Sequence, residues 1–151
     1  MKEWAKYIAK GLVKPQPPNF KQIEQQILRA DKDLKTFRLV ILQDPEWACT
    51  IAYQAMLRLG RALIFSYGYL PCDGQQHKTV VEITGKLLGK NFDLLIQYFD
   101  RMRRNRNVFF YESLDTNNAA EAKKALVTAE ELTKAVKKQI RSNNAQYKFS
   151  F

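Results

Sequence analysis

Apolar residues recur along this chain at helical spacing, and no segment shows the alternation of a strand. From Phe20 onward, Ile23, Ile27, Ala30, Leu34, Phe37 and Ile41 follow at intervals of four and three, with Lys, Glu, Asp and Arg between them. That period lines one face of a helix. Asp44-Pro45-Glu46 marks a fresh start: Asp44 can cap, Pro45 suits the first turn and Glu46 suits the positive end of the helix dipole. The helix it opens, Pro45 to about Tyr67, is the most apolar in the chain. After Glu46 its charges are Arg58 and Arg61 alone, so it is expected at the centre, covered on most sides.

Gly68 is the expected C-cap of that helix, with Tyr69-Leu70-Pro71-Cys72-Asp73-Gly74 as the loop beyond. A shorter helix is expected from Gln76 to Leu88, ending at Gly89. Asn91 can cap the next, which carries Phe92, Leu95, Ile96, Phe99 and Met102 on one face. Ser113 to Asn118 interrupts the pattern. The last helix, about Ala119 to Ser142, shows Ala122, Leu126, Ala129, Leu132, Val136 and Ile140, with Lys and Glu opposite. Ahead of all these, Glu3 to Leu12 reads as a short amphipathic helix with Trp4, Ile8 and Leu12 on its apolar side. It is expected to dock on its own domain or on a partner subunit. The prolines of Lys14-Pro15-Gln16-Pro17-Pro18 stop it and favour extended chain.

Four long helical segments and a shorter one, joined by short connections, predict an all-α fold. The natural packing is an up-and-down antiparallel helical bundle of four to five main helices, with a short N-terminal helix. The chain divides into a short helix and Pro-rich linker (1–18), the bundle (19–142) and a tail (143–151) expected to fray or to serve an interface.

A length of 151 residues fits one domain. The formal net charge of +10 favours acidic or phosphate-bearing partners, with a merely solvated Lys-rich surface as the alternative. Cys49 and Cys72 do not make a disulfide framework and read as reduced thiols of a cytoplasmic protein. The N-terminus, MKEWAKYIAKGLVK, is interrupted by charge too often for a secretory leader. Every long apolar stretch is broken before about 18 residues, so no membrane span is expected.

The single histidine, His77, and two separated cysteines cannot build an ordinary zinc site, and no glycine-rich cofactor loop or nucleophile elbow occurs. Neither a metal nor a cofactor is expected. The informative segment runs from Asp100 to Glu112, where Arg101, Arg103, Arg104 and Arg106 crowd the end of an amphipathic helix. Their mutual repulsion costs helix stability, and the dipole offsets only part of it. Arg106 falls on the extension of the apolar stripe. If the helix continues, Arg104, Val108 and Tyr111 share a face, bringing a guanidinium and a phenol together. Guanidinium forks match phosphate and aromatic rings stack bases, so an RNA or nucleotide site is one reading. A surface cluster paired with carboxylates of a neighbouring helix is the other.

Arg104-Asn105-x-x-x-Phe109-x-Tyr111 resembles the signature of HEPN domains, helical bundles of prokaryotic toxin–antitoxin and defence systems. The resemblance extends to Ala52-Tyr53-Gln54-Ala55, Arg61-Ala62-Leu63, Tyr67-Gly68-Tyr69, His77 and the helix through Ala129-Glu130-Glu131-Leu132, covering roughly Ile23 to Ile140. In that family an Arg precedes a His, and the two meet across a dimer interface to cleave RNA without a metal. Here Phe109 stands where the His would be, and a benzyl group transfers no proton. Tyr111, with an ordinary pKa of about 10, is a poor substitute. His77, near a helix start, reads as a surface or capping residue.

The resemblance therefore implies a non-catalytic homodimer. It would bind RNA, a nucleotide or a nucleotidyltransferase-type partner through Arg101, Arg104, Asn105, Arg106 and Tyr111. Such partners adenylylate the motif Tyr in some members, which makes Tyr111 a candidate acceptor. Two alternatives stand beside it: a metal-independent ribonuclease relying on Arg104 with Tyr111 or His77 for proton transfer, and a purely structural helical scaffold.

Overall fold

The computed structural model describes residues 2–72, 74, 76–111 and 118–151, with 106–111 and 118 described by their backbone alone. In chain order the elements are α1 (Trp4–Ala9), β1 (Val13–Pro15), α2 (Phe20–Val40), α3 (Pro45–Ser66), β2 (Tyr69–Pro71), α4 (Gln76–Leu88), α5 (Asp93–Tyr111) and α6 (Asn118–Asn143). A 3₁₀ turn, Lys90–Phe92, leads into α5. The fold is all-α, as the periodicity predicts.

Helix α3 sits at the centre and touches α2, α4, α5 and α6. Asp44 caps it, accepting a hydrogen bond from the Trp47 backbone amide at 3.0 Å. Its residues Ala52, Met56, Leu57, Leu59, Leu63 and Ile64 are buried on several faces, which is why a helix with so few charges is stable here. Asn19 caps α2 in the same way, accepting from Gln22 N at 3.0 Å. The α2 stripe of Ile23, Ile27, Ala30, Leu34 and Phe37 lies against α3. One charge enters this seam: Asp33, only 8% exposed, meets Arg58 of α3 at 2.9 Å and Arg29 at 3.2 Å. Two guanidinium partners compensate the desolvation of a buried carboxylate. Helix α6 closes the bundle with Ala122, Ala129, Leu132, Val136 and Ile140 inward, and Lys137–Asp31 (2.8 Å) and Arg38–Glu130 (2.6 Å) bridge it to α2.

Helices α3 and α4 pack unusually closely at Gly60. A Cβ there would stand 2.6 Å from Val80 Cγ1 and 2.7 Å from Thr84 Oγ1. Both neighbours are β-branched and stiff at χ1, so neither can step aside cheaply. Thr84 Oγ1 is itself buried without a hydrogen-bond partner.

The periodicity misses a two-stranded ribbon. β1 and β2 pair antiparallel, with Val13 opposite Pro71, Lys14 opposite Leu70 and Pro15 opposite Tyr69. Three residues per strand are too few to show alternation, and prolines on a strand edge mask it further. The register of the first helix also differs from the expectation. Trp4 and Tyr7 are buried while Ile8 is 39% exposed. The helix ends at Ala9 and the chain turns through Gly11 at φ +68°, so Leu12 lies outside it. This segment docks on its own bundle: Trp4 stacks on Tyr69 at 4.0 Å, Tyr7 donates to Glu82 at 3.1 Å, and Lys86 pairs with Glu3 at 2.9 Å.

The tail is packed, not frayed. Phe20 at the start of α2 meets Tyr147 and Phe149 at 5.0 and 5.8 Å, and Phe149 stacks on Phe151 at 4.9 Å. The Ser150 amide donates to Glu24, and Arg141 donates to the Phe151 carbonyl at 2.8 Å. Of the expected break from Ser113 to Asn118, residues 113–117 lie outside the described residues, and Asn118 already belongs to α6. Among the described residues, no helix is long and apolar enough to cross a membrane.

Two measurements test this packing. Gly60→Ala gains about 1 kcal/mol of helix propensity, but overpacking between fixed side chains costs about 1–3 kcal/mol. A lower urea midpoint is therefore expected, and a raised one would mean that α4 gives way. Thr84→Val, which removes the unpaired hydroxyl, is expected to be neutral or stabilising by up to about 1 kcal/mol. Cys49 is buried and Cys72 exposed; burial, aided by the charges of Glu121 and Glu46, raises the Cys49 thiol to about 11. A disulfide reagent at pH 8 should titrate one thiol in the native protein and two in denaturant. Two fast thiols in the native state would contradict the placement of Cys49.

Candidate functional site

The Arg-rich segment is carried by the second half of α5. The first half of that helix anchors it: Leu95, Phe99 and Met102 are buried, and so is Tyr98, which the apolar pattern does not single out. The Tyr98 hydroxyl donates to Glu121 of α6 at 3.1 Å, and Arg101 donates to both oxygens of the same carboxylate at 2.9 Å. The Arg101 guanidinium lies 5.1 Å from the Tyr98 ring centre and the Lys124 ammonium 4.7 Å. Burial, and then the Glu121 charge, holds the Tyr98 phenol well above its ordinary pKa. One ring and one carboxylate thus tie α5 to α6, and Arg101 is engaged in that tie.

Arg103 and Arg104 are held differently. Asp100, one turn back, accepts from Arg103 Nε at 2.8 Å and pairs with Arg104 Nε at 3.1 Å. Two guanidinium groups share one carboxylate, so the end of α5 keeps a net positive charge. The Arg104 side chain is 61% exposed, which leaves most of its donor fork facing solvent. Asn105 beside it is exposed. The backbone stays helical through Tyr111, so positions 104, 108 and 111 fall on one face of α5. The side chains of Arg106, Phe109 and Tyr111 lie outside the described residues.

His77 differs from the expectation of a surface or capping residue. It is half-buried, and its Nδ1 is hydrogen-bonded to the hydroxyl of buried Tyr53 on α3 at 3.0 Å. Tyr53 in turn lies edge-on to Phe99 of α5, with ring centres 6.0 Å apart. The pairing of α4 with α5 shows where this histidine stands. Ile96 packs against Gly85, where a Cβ would be 3.0 Å from its Cγ2. The helices run in opposite directions from the tight turn between them, so eight residues back from Gly85 and eight forward from Ile96 reach the same level. Those positions are His77 and Arg104. The sole histidine and the most exposed described arginine of α5 therefore share one end of the bundle. Sequence spacing alone could not reveal this, because it depends on the α4–α5 register.

Among the described residues, no group of three or more His, Cys, Asp or Glu converges in a way that could hold a metal ion. A search of curated proteins returns no match to this chain. The family model for the HEPN domain matches residues 23–139, from the first core isoleucine of α2 to near the end of α6. That span contains Tyr53, His77, the Arg-rich half of α5 and every helix packed on α3, and the chain accordingly belongs to the HEPN domain family.

Proposed function

We propose that this chain binds a phosphate-bearing ligand, RNA or a nucleotide, at the Arg-rich end of α5, as a homodimer and without cleaving it. The observation that carries this reading is the exposed Arg104 fork, which together with Arg103 shares the single carboxylate of Asp100. A planar guanidinium with open donors is the side chain best matched to phosphate, and a surplus of positive charge draws a polyanion to it. Arg104 and Asn105 are the primary contacts, Arg106 and Tyr111 complete the set, and Arg101 contributes charge while held by Glu121. Membership of the HEPN family supports an RNA- or nucleotide-related role. The homodimer joins through the Arg104–Tyr111 stretch, where Val108, Phe109 and Phe110 follow closely on Arg104 and Arg106 in sequence, and a nucleotidyltransferase-type protein docks on the same face. A cytoplasmic location fits the free thiols. Phe109 stands at the motif position where a proton-transferring His would be needed, so binding is retained and cleavage is not.

A second reading is favoured by one specific observation, the Tyr53–His77 hydrogen bond at the level of Arg104. An oriented imidazole and a guanidinium at one end of the bundle are the minimum equipment for metal-independent phosphodiester cleavage. On this reading His77 moves the proton and Arg104 stabilises the developing charge.

An RNA-cleavage assay in the presence of chelator separates the two. Wild type is expected to leave RNA intact, Phe109→His to cut it, and Phe109→His with Arg104→Ala to be at least about a hundredfold slower, as the loss of one transition-state donor implies. Cutting by wild type that disappears in His77→Ala would establish the second reading instead.

A further inference from the structure

A cleft of about 640 Å³ opens on another side of the bundle, between the start of α2, the second half of α3 and the ribbon. Its lining includes Gln16, Gln22, Gln25, Gln26, Arg61 and Phe65. Gln16 comes from the Pro-rich stretch after β1, where its amide donates to the Gly68 carbonyl at 2.8 Å and pins that wall to the turn after α3. The three other glutamines come from the first two turns of α2. This size falls within the ordinary range for small-molecule sites.

Arg61 is the sole charged residue of the lining. It is half-buried, and burial pulls its pKa below the ordinary arginine value, yet a guanidinium stays protonated at neutral pH. Its neighbours on the helices are satisfied: Arg58 and Arg29 meet Asp33, and Arg38 meets Glu130. Among the described residues, no carboxylate lies within ion-pair distance of Arg61. A partly desolvated cation without a counter-charge is costly unless something anionic meets it.

The rest of the lining narrows what that anion carries. Four carboxamides each offer donors and acceptors but no charge, which suits a neutral body bearing hydroxyl or amide groups. Phe65 supplies an apolar floor. We infer that this cleft binds a small organic phosphate, with its phosphoryl group on Arg61 and its hydroxyl-bearing body among the glutamines of α2. The site is distinct from the end of α5: Arg61 lies eight residues, roughly 12 Å, along α3 from Tyr53, within electrostatic range of that phenol but lining a cleft that faces α2.

The test is titration of the full chain with ribose 5-phosphate, read by the side-chain amide signals of Gln22, Gln25 and Gln26 in nitrogen–proton spectra. Inorganic phosphate and ribose are the two controls. Saturable shifts with ribose 5-phosphate are expected. Affinity should fall at least tenfold in Arg61→Gln and remain unchanged in Arg104→Ala. Gln26→Glu places a carboxylate in the cleft from an exposed helix position without touching α3, and it should weaken binding by a similar factor. The inference is overturned if no saturable shift appears by about 10 mM, the weak end of small-ligand affinity. It is equally overturned if neither Arg61→Gln nor Gln26→Glu weakens binding, if Arg104→Ala abolishes it, or if inorganic phosphate binds as tightly as ribose 5-phosphate.

Discussion

A helix that is apolar on most of its circumference cannot lie at a protein surface, and α3 is such a helix. Between Glu46 and its end it carries two charged residues, Arg58 and Arg61, and every other helix longer than α1 packs against it. Burying side chains such as Met56, Leu57, Leu59, Leu63 and Ile64 contributes roughly 2 kcal/mol each. The positions of α2, α4, α5 and α6 follow from the need to cover that surface. The two arginines show how strict the requirement is. Arg58 is accommodated by Asp33 across the α2 seam, and Arg61 emerges into a cleft at the edge of α2.

Covering α3 has consequences for chemistry far from its own ends. Gly60 lets α4 approach closely, and Gly85 in turn accepts Ile96, which fixes the register of α4 against α5. That register brings His77 level with Arg104. Tyr53 on α3 then reaches both neighbours, bonding to the His77 ring and touching Phe99. A histidine, a tyrosine and a set of arginines from three helices are thus gathered at one end of the bundle by close packing. The arginines there are not equivalent. Arg101 is committed to Glu121 and the Tyr98 face, whereas Arg103 and Arg104 divide one carboxylate between them and keep positive charge facing solvent.

Most of the fold was legible in the sequence, because long helices write their stripes plainly. Ile23 through Phe37, the Asp44-Pro45 start and the Gly68 and Gly89 stops all stand where the periodicity and the capping residues put them. What escaped was short or non-local. Three-residue strands carry no period, and the six-residue α1 buries Trp4 with Tyr7 instead of Ile8, because it ends before Gly11 and the spacing that continues to Leu12 is not helical. The aromatic tail gives no sign of its partner, since Phe20 and Tyr147 meet only through tertiary packing. Of the site, the arginines were visible as a cluster in the sequence. The engagement of Arg101 and the Tyr53–His77 bond were not, because each depends on a residue on another helix.

The proposed function rests on the exposed guanidinium of Arg104 holding phosphate. The most direct measurement is the salt dependence of RNA binding by wild type and by Arg104→Ala, compared as the slope of log affinity against log salt. If Arg104 holds a phosphate, affinity falls and the slope becomes shallower by about one unit in the variant, the signature of one released counterion. An unchanged slope and affinity would mean that RNA is held elsewhere and that the end of α5 is only a solvated, internally paired cluster.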